Sequence, residues 1–99
     1  MEQNNKITKS DLIQLIADGQ GHLPFKDVED SVNSILNQIA ESLEAGDRVE
    51  IRGFGAFTLH HRPAKTGRNP KTGESVTVPD KYVPFFKPGK ILSDKVNSH

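Results

Sequence analysis

Apolar residues recur every three or four positions in the first half of the chain and every second position from Val49 onward. The first spacing predicts helices and the second predicts strands. Thr8 is placed to cap a first helix, with Asp11 three residues on as a variant of the capping box and Ile7 and Leu12 in the staple positions. Leu12, Ile13, Leu15 and Ile16 form its stripe, and Gly19 and Gly21 stop it. A second helix begins near Pro24 or Phe25. Its stripe of Phe25, Val28, Val32, Ile35, Leu36, Ile39 and Leu43 is core, much of it shared with a second chain, and Gly46 closes it. Val49 and Ile51, then Phe57 and Leu59, alternate with polar residues around Gly53-Phe54-Gly55, the pattern of a β-hairpin. The second strand runs out through His60, His61 and Arg62, and Ser75 to Val78 is its return. Tyr82 to Phe86 re-enter the core as a last strand. Pro88-Gly89 end that strand, and Lys90 to Val96 form a short helix with Ile91, Leu92 and Val96 inward.

The segment from Arg62 to Gly73 fits neither a helix nor a core. Arg62, Lys65, Arg68 and Lys71 place a cation at every third position, with Pro63, Gly67 and Pro70 between them. Proline lacks the amide donor that a helix needs. Between Arg62 and Lys71 the sole apolar side chain besides the prolines is Ala64. An extended cationic projection of this kind suits the groove of a polyanion. Its lysines and arginines can neutralise phosphates and release counterions. Arg68 and Asn69 can use the acceptors of an A·T-rich minor groove. Pro70 is rigid and small enough to wedge between base pairs and kink a duplex. Asn-Pro and Thr-Gly are also ordinary turn dipeptides, but a turn alone does not require four regularly spaced cations. A lone two-stranded ribbon is marginally stable in water, so the arm is expected to be mobile until it meets its partner.

Charge sharpens this picture. The chain is neutral overall, but residues 1–47 hold three cations against nine acids, net −6, while residues 48–99 hold ten against four, net +6. Such polarity points to one basic face. Ninety-nine residues suffice for one domain, and the apolar fraction of 33% is low, which favours oligomerisation as a source of core. With no cysteine, disulfide scaffolds and thiolate chemistry are excluded. The polar start and the lack of a long apolar run predict a cytoplasmic protein.

Two further cationic positions adjoin helix starts. Lys87 and Lys90 flank Pro88-Gly89 before the last helix, and Lys9 opens the first; each can serve an anion or be an ordinary solvated end. Glu50 and Arg52 lie two apart on one strand face, where Glu50 can hold the Arg52 fork toward a base edge or a phosphate. Enzymatic readings fail. His60 and His61 are adjacent on a strand and face opposite ways. Gly53-Phe54-Gly55 lacks the third glycine of a dinucleotide fingerprint, and no Lys-Ser/Thr follows Gly73 as a Walker loop requires.

The run Gly53-Phe54-Gly55-Ala56-Phe57, the arm Gly67-Arg68-Asn69-Pro70-Lys71-Thr72-Gly73 and the stretch from Val83 to Lys90 together resemble the bacterial HU/IHF DNA-bending family, over about Ile7 to Asn97. Glu50-Ile51-Arg52 and Tyr82 to Lys90 look most like its beta-type integration host factor branch. The resemblance implies an α+β fold: an intertwined dimer with a helical body and a three-stranded antiparallel sheet extended into a β-ribbon arm. It implies one domain, with a flexible lead over 1–6, a helical dimerisation part over 7–46, a sheet over 47–89 carrying the arm at 61–80, and a helix over 90–97. Its partners would be double-stranded DNA and either an IHF alpha-type subunit or a second copy of itself, with no cofactor or metal and a nucleoid-associated role in recombination, replication, transcription and translation control. Pro70 would intercalate with Arg68, Asn69 and Lys71 beside it, as in minor-groove architectural proteins generally, HU and IHF among them. Arg62 and Lys65 would follow the backbone, Lys9, Lys87 and Lys90 would clamp flanking phosphates, and Glu50 with Arg52 would match a sequence-reading pair. The rivals are an HU-like homodimer without sequence preference and a helical dimerisation module whose arm grips an acidic protein. Two features depart from the family: the neutral net charge, which predicts fewer flank contacts, and the polar lead before Lys6, expected to be disordered.

Overall fold

Thr8 opens the first helix as a true capping box: its Oγ1 accepts from the Asp11 amide at 3.2 Å, and its own amide donates to the Asp11 carboxylate at 3.1 Å. The structure, a computed structural model, describes residues 5–98, so most of the polar lead lies outside the described residues. Helix α1 spans Lys9–Gly19, including the glycine expected to stop it, and is capped at Gln20. Helix α2 spans Phe25–Glu44. It ends in a Schellman motif, with Gly46 at φ +90°, the Gly46 amide on the Leu43 carbonyl at 3.0 Å and the Asp47 amide on Ser42 at 2.9 Å. Only glycine adopts that φ without penalty.

The chain divides into two compact units, Met1–Ala40 and Glu41–His99. In the first, Ile13 of α1 packs with Val28 and Val32 of α2, and Ala17 lies against them. The second contains β1 (Val49–Ile51), β2 (Gly55–Arg62), β3 (Lys65–Arg68), β4 (Ser75–Val78), β5 (Lys81–Pro88) and α3 (Lys90–Val96). Strands β1, β2 and β5 form an antiparallel sheet in the order β1-β2-β5, while β3 and β4 form a separate two-stranded ribbon. The expected α+β architecture is therefore present, but the arm is not an uninterrupted continuation of β2 and β5. Pro63-Ala64 and Pro79-Asp80 separate the two ladders.

The β1–β2 connection is a tight turn closed by the Phe54 amide on the Ile51 carbonyl at 3.0 Å, with Gly53 at φ +83° in its third position. Gly55 is required for a different reason. A Cβ there would lie 2.6 Å from both the Lys87 carbonyl oxygen and a carbon of the Phe86 ring. This close approach seats Phe86 between Phe54 and Phe57, at centroid distances of 5.2 and 4.9 Å.

Much of the apolar stripe stays uncovered in the single chain. Ile35 of α2 is 59% exposed, and Ile91 and Val96 of α3 are 56% and 60% exposed, so the expectation that these α3 residues turn inward does not hold within one chain. Ile7, Leu15, Phe25, Phe54 and Tyr82 are exposed as well. Apolar surface on this scale belongs to an interface rather than to solvent. The chain is expected to sediment as a dimer at micromolar concentration, alone or with a related chain; a stable monomer in analytical ultracentrifugation would refute this. Gly55→Ala is expected to destabilise the fold by about 2 kcal/mol or more, because the crowding atoms include backbone. A urea midpoint unchanged from the wild type would contradict that packing.

Candidate nucleic-acid interface

In the arm, β3 and β4 pair from Lys65↔Val78 to Arg68↔Ser75. Lys65 and Arg68 are three apart on a strand whose side chains alternate, so they project from opposite faces of the ribbon. A period of three laid on a period of two thus makes both faces cationic. Nothing is buried along β3, and the ribbon is held by its own hydrogen bonds.

The tip is bridged by local hydrogen bonds without a core. The Asn69 amide donates to the Glu74 carbonyl at 2.8 Å, and the Gly73 amide donates to the Asn69 carbonyl at 2.7 Å, with Gly73 at φ +77°. The side-chain oxygen of Asn69 accepts from the Lys71 amide at 2.9 Å, an Asx turn around Pro70. Arg68 Nη1 donates to the Gly73 carbonyl at 2.8 Å, so this guanidinium braces the loop while remaining exposed. Pro70 is exposed at the head of the loop. Its missing amide costs nothing there, and its ring is rigid.

A second feature lies on the sheet. Glu50 pairs with Ala56, and Ala56 with Lys87, so the three form one row across β1, β2 and β5. Ala56 is too small to fill its place in that row. Arg48, Glu50, Arg52, Thr58, His60, Phe85 and Lys87 line a groove of about 560 Å³ above it. Glu50 and Arg52 both border the groove, but Arg52 belongs to the turn after β1, and the ion pair of Glu50 is with Arg48, at 3.7 Å. Arg48 was legible only as the same-parity neighbour two residues before Glu50. His60 stacks on Phe85 at 4.5 Å and 21°, closing the groove on its aromatic side.

Arg62, Lys65 and Lys81 line a notch of about 510 Å³ at the base of the arm, together with Pro63, Val78 and Pro79. Lys81 is the register partner of Arg62, a relation that only the ladder reveals. The helix-end lysines are engaged differently. Lys9 donates to the Asn33 side chain at 2.9 Å in the first unit. Lys90 pairs with Asp94 at 2.7 Å on α3, a helix of seven residues. On α2, the hydrogen bond that Lys26 donates to the Asp30 carboxylate, and the charge of that carboxylate, raise the pKa of exposed Lys26.

The family model described as "Bacterial DNA-binding protein" matches residues 7–97. The integration host factor subunit beta of Alkalilimnicola ehrlichii is 61% identical over 92 residues, covering 93% of this chain and 92% of that one. That of Halorhodospira halophila is 62% identical over 92 residues, covering 93% and 90%. Among solved structures, Anabaena HU in a DNA cocrystal superposes with a TM-score of 0.80 at 34% identity, covering 93% of this chain and 99% of that one. A variant of HU from Thermotoga maritima gives 0.65 at 32% identity, covering 90% and 97%. With the family model matching residues 7–97 and relatives of 61% and 62% identity over nearly the whole chain, the chain belongs to the bacterial DNA-binding protein family of HU and IHF, where it groups with integration host factor beta subunits.

Proposed function

We propose that this chain is one subunit of an architectural dimer that binds duplex DNA through the minor groove and bends it. The observation that carries the reading is the arm: a ribbon cationic on both faces, built without a core, with Pro70 exposed at its head. A groove wall of phosphates lies on either side of anything seated in a minor groove, and cations on both ribbon faces match that symmetry. Pro70 enters a base step and unstacks it, and the bent duplex then meets more protein surface. Arg68, Asn69 and Lys71 lie beside the wedge; Arg62 and Lys65 track the backbone.

The sheet groove supplies the second contact. Arg48 pairs with Glu50 at 3.7 Å, Arg52 borders the same groove from the turn after β1, and Lys87 adds a charge from β5. Forks held in one orientation can distinguish sites, whereas the lysines Lys9, Lys87 and Lys90 act as point charges on flanking phosphates. The role is non-enzymatic. In this reading residues 7–46 serve dimerisation, 47–89 form the sheet with its arm at 61–80, and the protein works on the nucleoid in the cytoplasm, paired with an alpha-type chain. Among the described residues no helix is long and apolar enough to cross a membrane.

End-to-end energy transfer on a doubly labelled duplex tests this directly, with an A·T-rich candidate site and a scrambled control, each with and without an alpha-type partner. Strong bending of the candidate alone, and only with the partner, is expected. Equal bending of both duplexes by this chain alone would replace the reading with a nonspecific homodimer, and no bending by either combination would overturn it. Pro70→Ala is expected to reduce the bend strongly while affinity changes by less than about tenfold; an unaltered bend would remove the wedge. Arg52→Ala is expected to weaken binding to a preferred site by about tenfold or more and leave random duplex nearly unaffected. Equal loss on both in a filter-binding titration would assign Arg52 to phosphate.

A further inference from the structure

Two residues on each segment separate the sheet from the arm: Pro63-Ala64 between β2 and β3, and Pro79-Asp80 between β4 and β5. Neither proline can donate to a ladder, so the break is written into both segments. It leaves the Ala64 amide outside either ladder, and Asp80 Oδ1 accepts it at 3.2 Å. The same oxygen lies 2.7 Å from Nε2 of His61, the last residue but one of β2 before the break. A carboxylate only accepts, so Nε2 carries the hydrogen. The His61 ring is in turn stacked on Tyr82, its register partner, at 4.8 Å and 26°. One carboxylate oxygen therefore ties the residue that enters the arm to a ring seated on the sheet.

An acid is out of place here by charge alone. Asp80 stands directly before Lys81, and Arg62 and Lys65 line the notch beside it; on a surface that meets a polyanion, a carboxylate repels. Its two hydrogen bonds give a reason for its presence. Both side chains are about half exposed, 46% for His61 and 55% for Asp80, so the pair is too weak to hold a fold but sufficient to bias a joint.

We propose that Asp80 and His61 are positioning residues, a clasp that restrains the elbow and narrows the freedom of the arm in the free protein. An arm so restrained loses less conformational freedom when it enters the groove. That consequence rests on the DNA-bending reading; the restraint itself does not.

The test compares the full-length dimer as wild type, Asp80→Ala and Asp80→Asn. Both variants lose the same charge, but asparagine keeps an oxygen acceptor for the Ala64 amide and the imidazole. In 15N relaxation of the free protein, Asp80→Ala is expected to lower the heteronuclear NOE across residues 65–78 while β2, β5 and the helices are unchanged, and Asp80→Asn is expected to track the wild type. On duplex DNA at equal salt, the alanine variant is expected to bind roughly fivefold more weakly than the asparagine variant. An alanine variant whose arm is as ordered as the wild type would overturn the clasp, as would an asparagine variant that loosens equally. If the relaxation results hold and the wild type binds no duplex, the clasp stands and the DNA reading falls.

Discussion

The eight-residue ladder between β2 and β5 is the interaction on which the rest of the second unit depends. It runs from Gly55↔Pro88 to Arg62↔Lys81. At one end the backbones approach so closely that only glycine fits, and that approach seats Phe86 against Phe54 and Phe57. The same register lines Glu50, Ala56 and Lys87 in one row and so creates the sheet groove. At the other end it sets Arg62 opposite Lys81 and delivers both segments to the elbow. A slip of one residue would turn every side chain to the other face and dismantle groove and notch together.

The arm follows a different economy. It has no core, so its order comes from polar groups that its own loop supplies: the Asn69 oxygen on the Lys71 amide and the Arg68 guanidinium on the Gly73 carbonyl. A projection built this way leaves its cations and its proline free of packing duties. The helical part shows the complementary condition. Its cluster of Ile13, Val28 and Val32 is small, and apolar residues such as Ile35 wait for a second chain. Architecture and assembly are therefore coupled: the sheet carries the arm, and dimerisation supplies the burial that a chain of this length lacks.

Local chemistry made many features legible in advance. Thr8 and Asp11 announced the first cap, Gly46 the end of α2, Gly53 the turn after β1, and Lys90 to Val96 the last helix, because caps and tight turns depend on the conformational preferences of one or two residues. The alternation around Gly55 announced the hairpin, and the cation spacing announced the arm. Less legible were features that need a partner strand or chain. Glu50 and Arg52 could be placed near each other by parity, but the ion pair with Arg48 depends on rotamers and on where β1 ends. Ile91 and Val96 read as inward because periodicity records that a face is apolar and says nothing of which chain covers it.

The sequence by itself determined the elements, their caps, the extended basic arm and the need for more core than one chain provides, since each follows from residue type and spacing. Only the tertiary structure decided the register that pairs Arg62 with Lys81, the groove over Ala56 and the interruption that splits the arm from the sheet. Pro63 and Pro79 were visible from the start as residues that cannot donate. That both fall at one break, with Asp80 meeting both His61 and Ala64, follows from strand pairing between residues well separated along the chain, and no local preference encodes a contact over that separation.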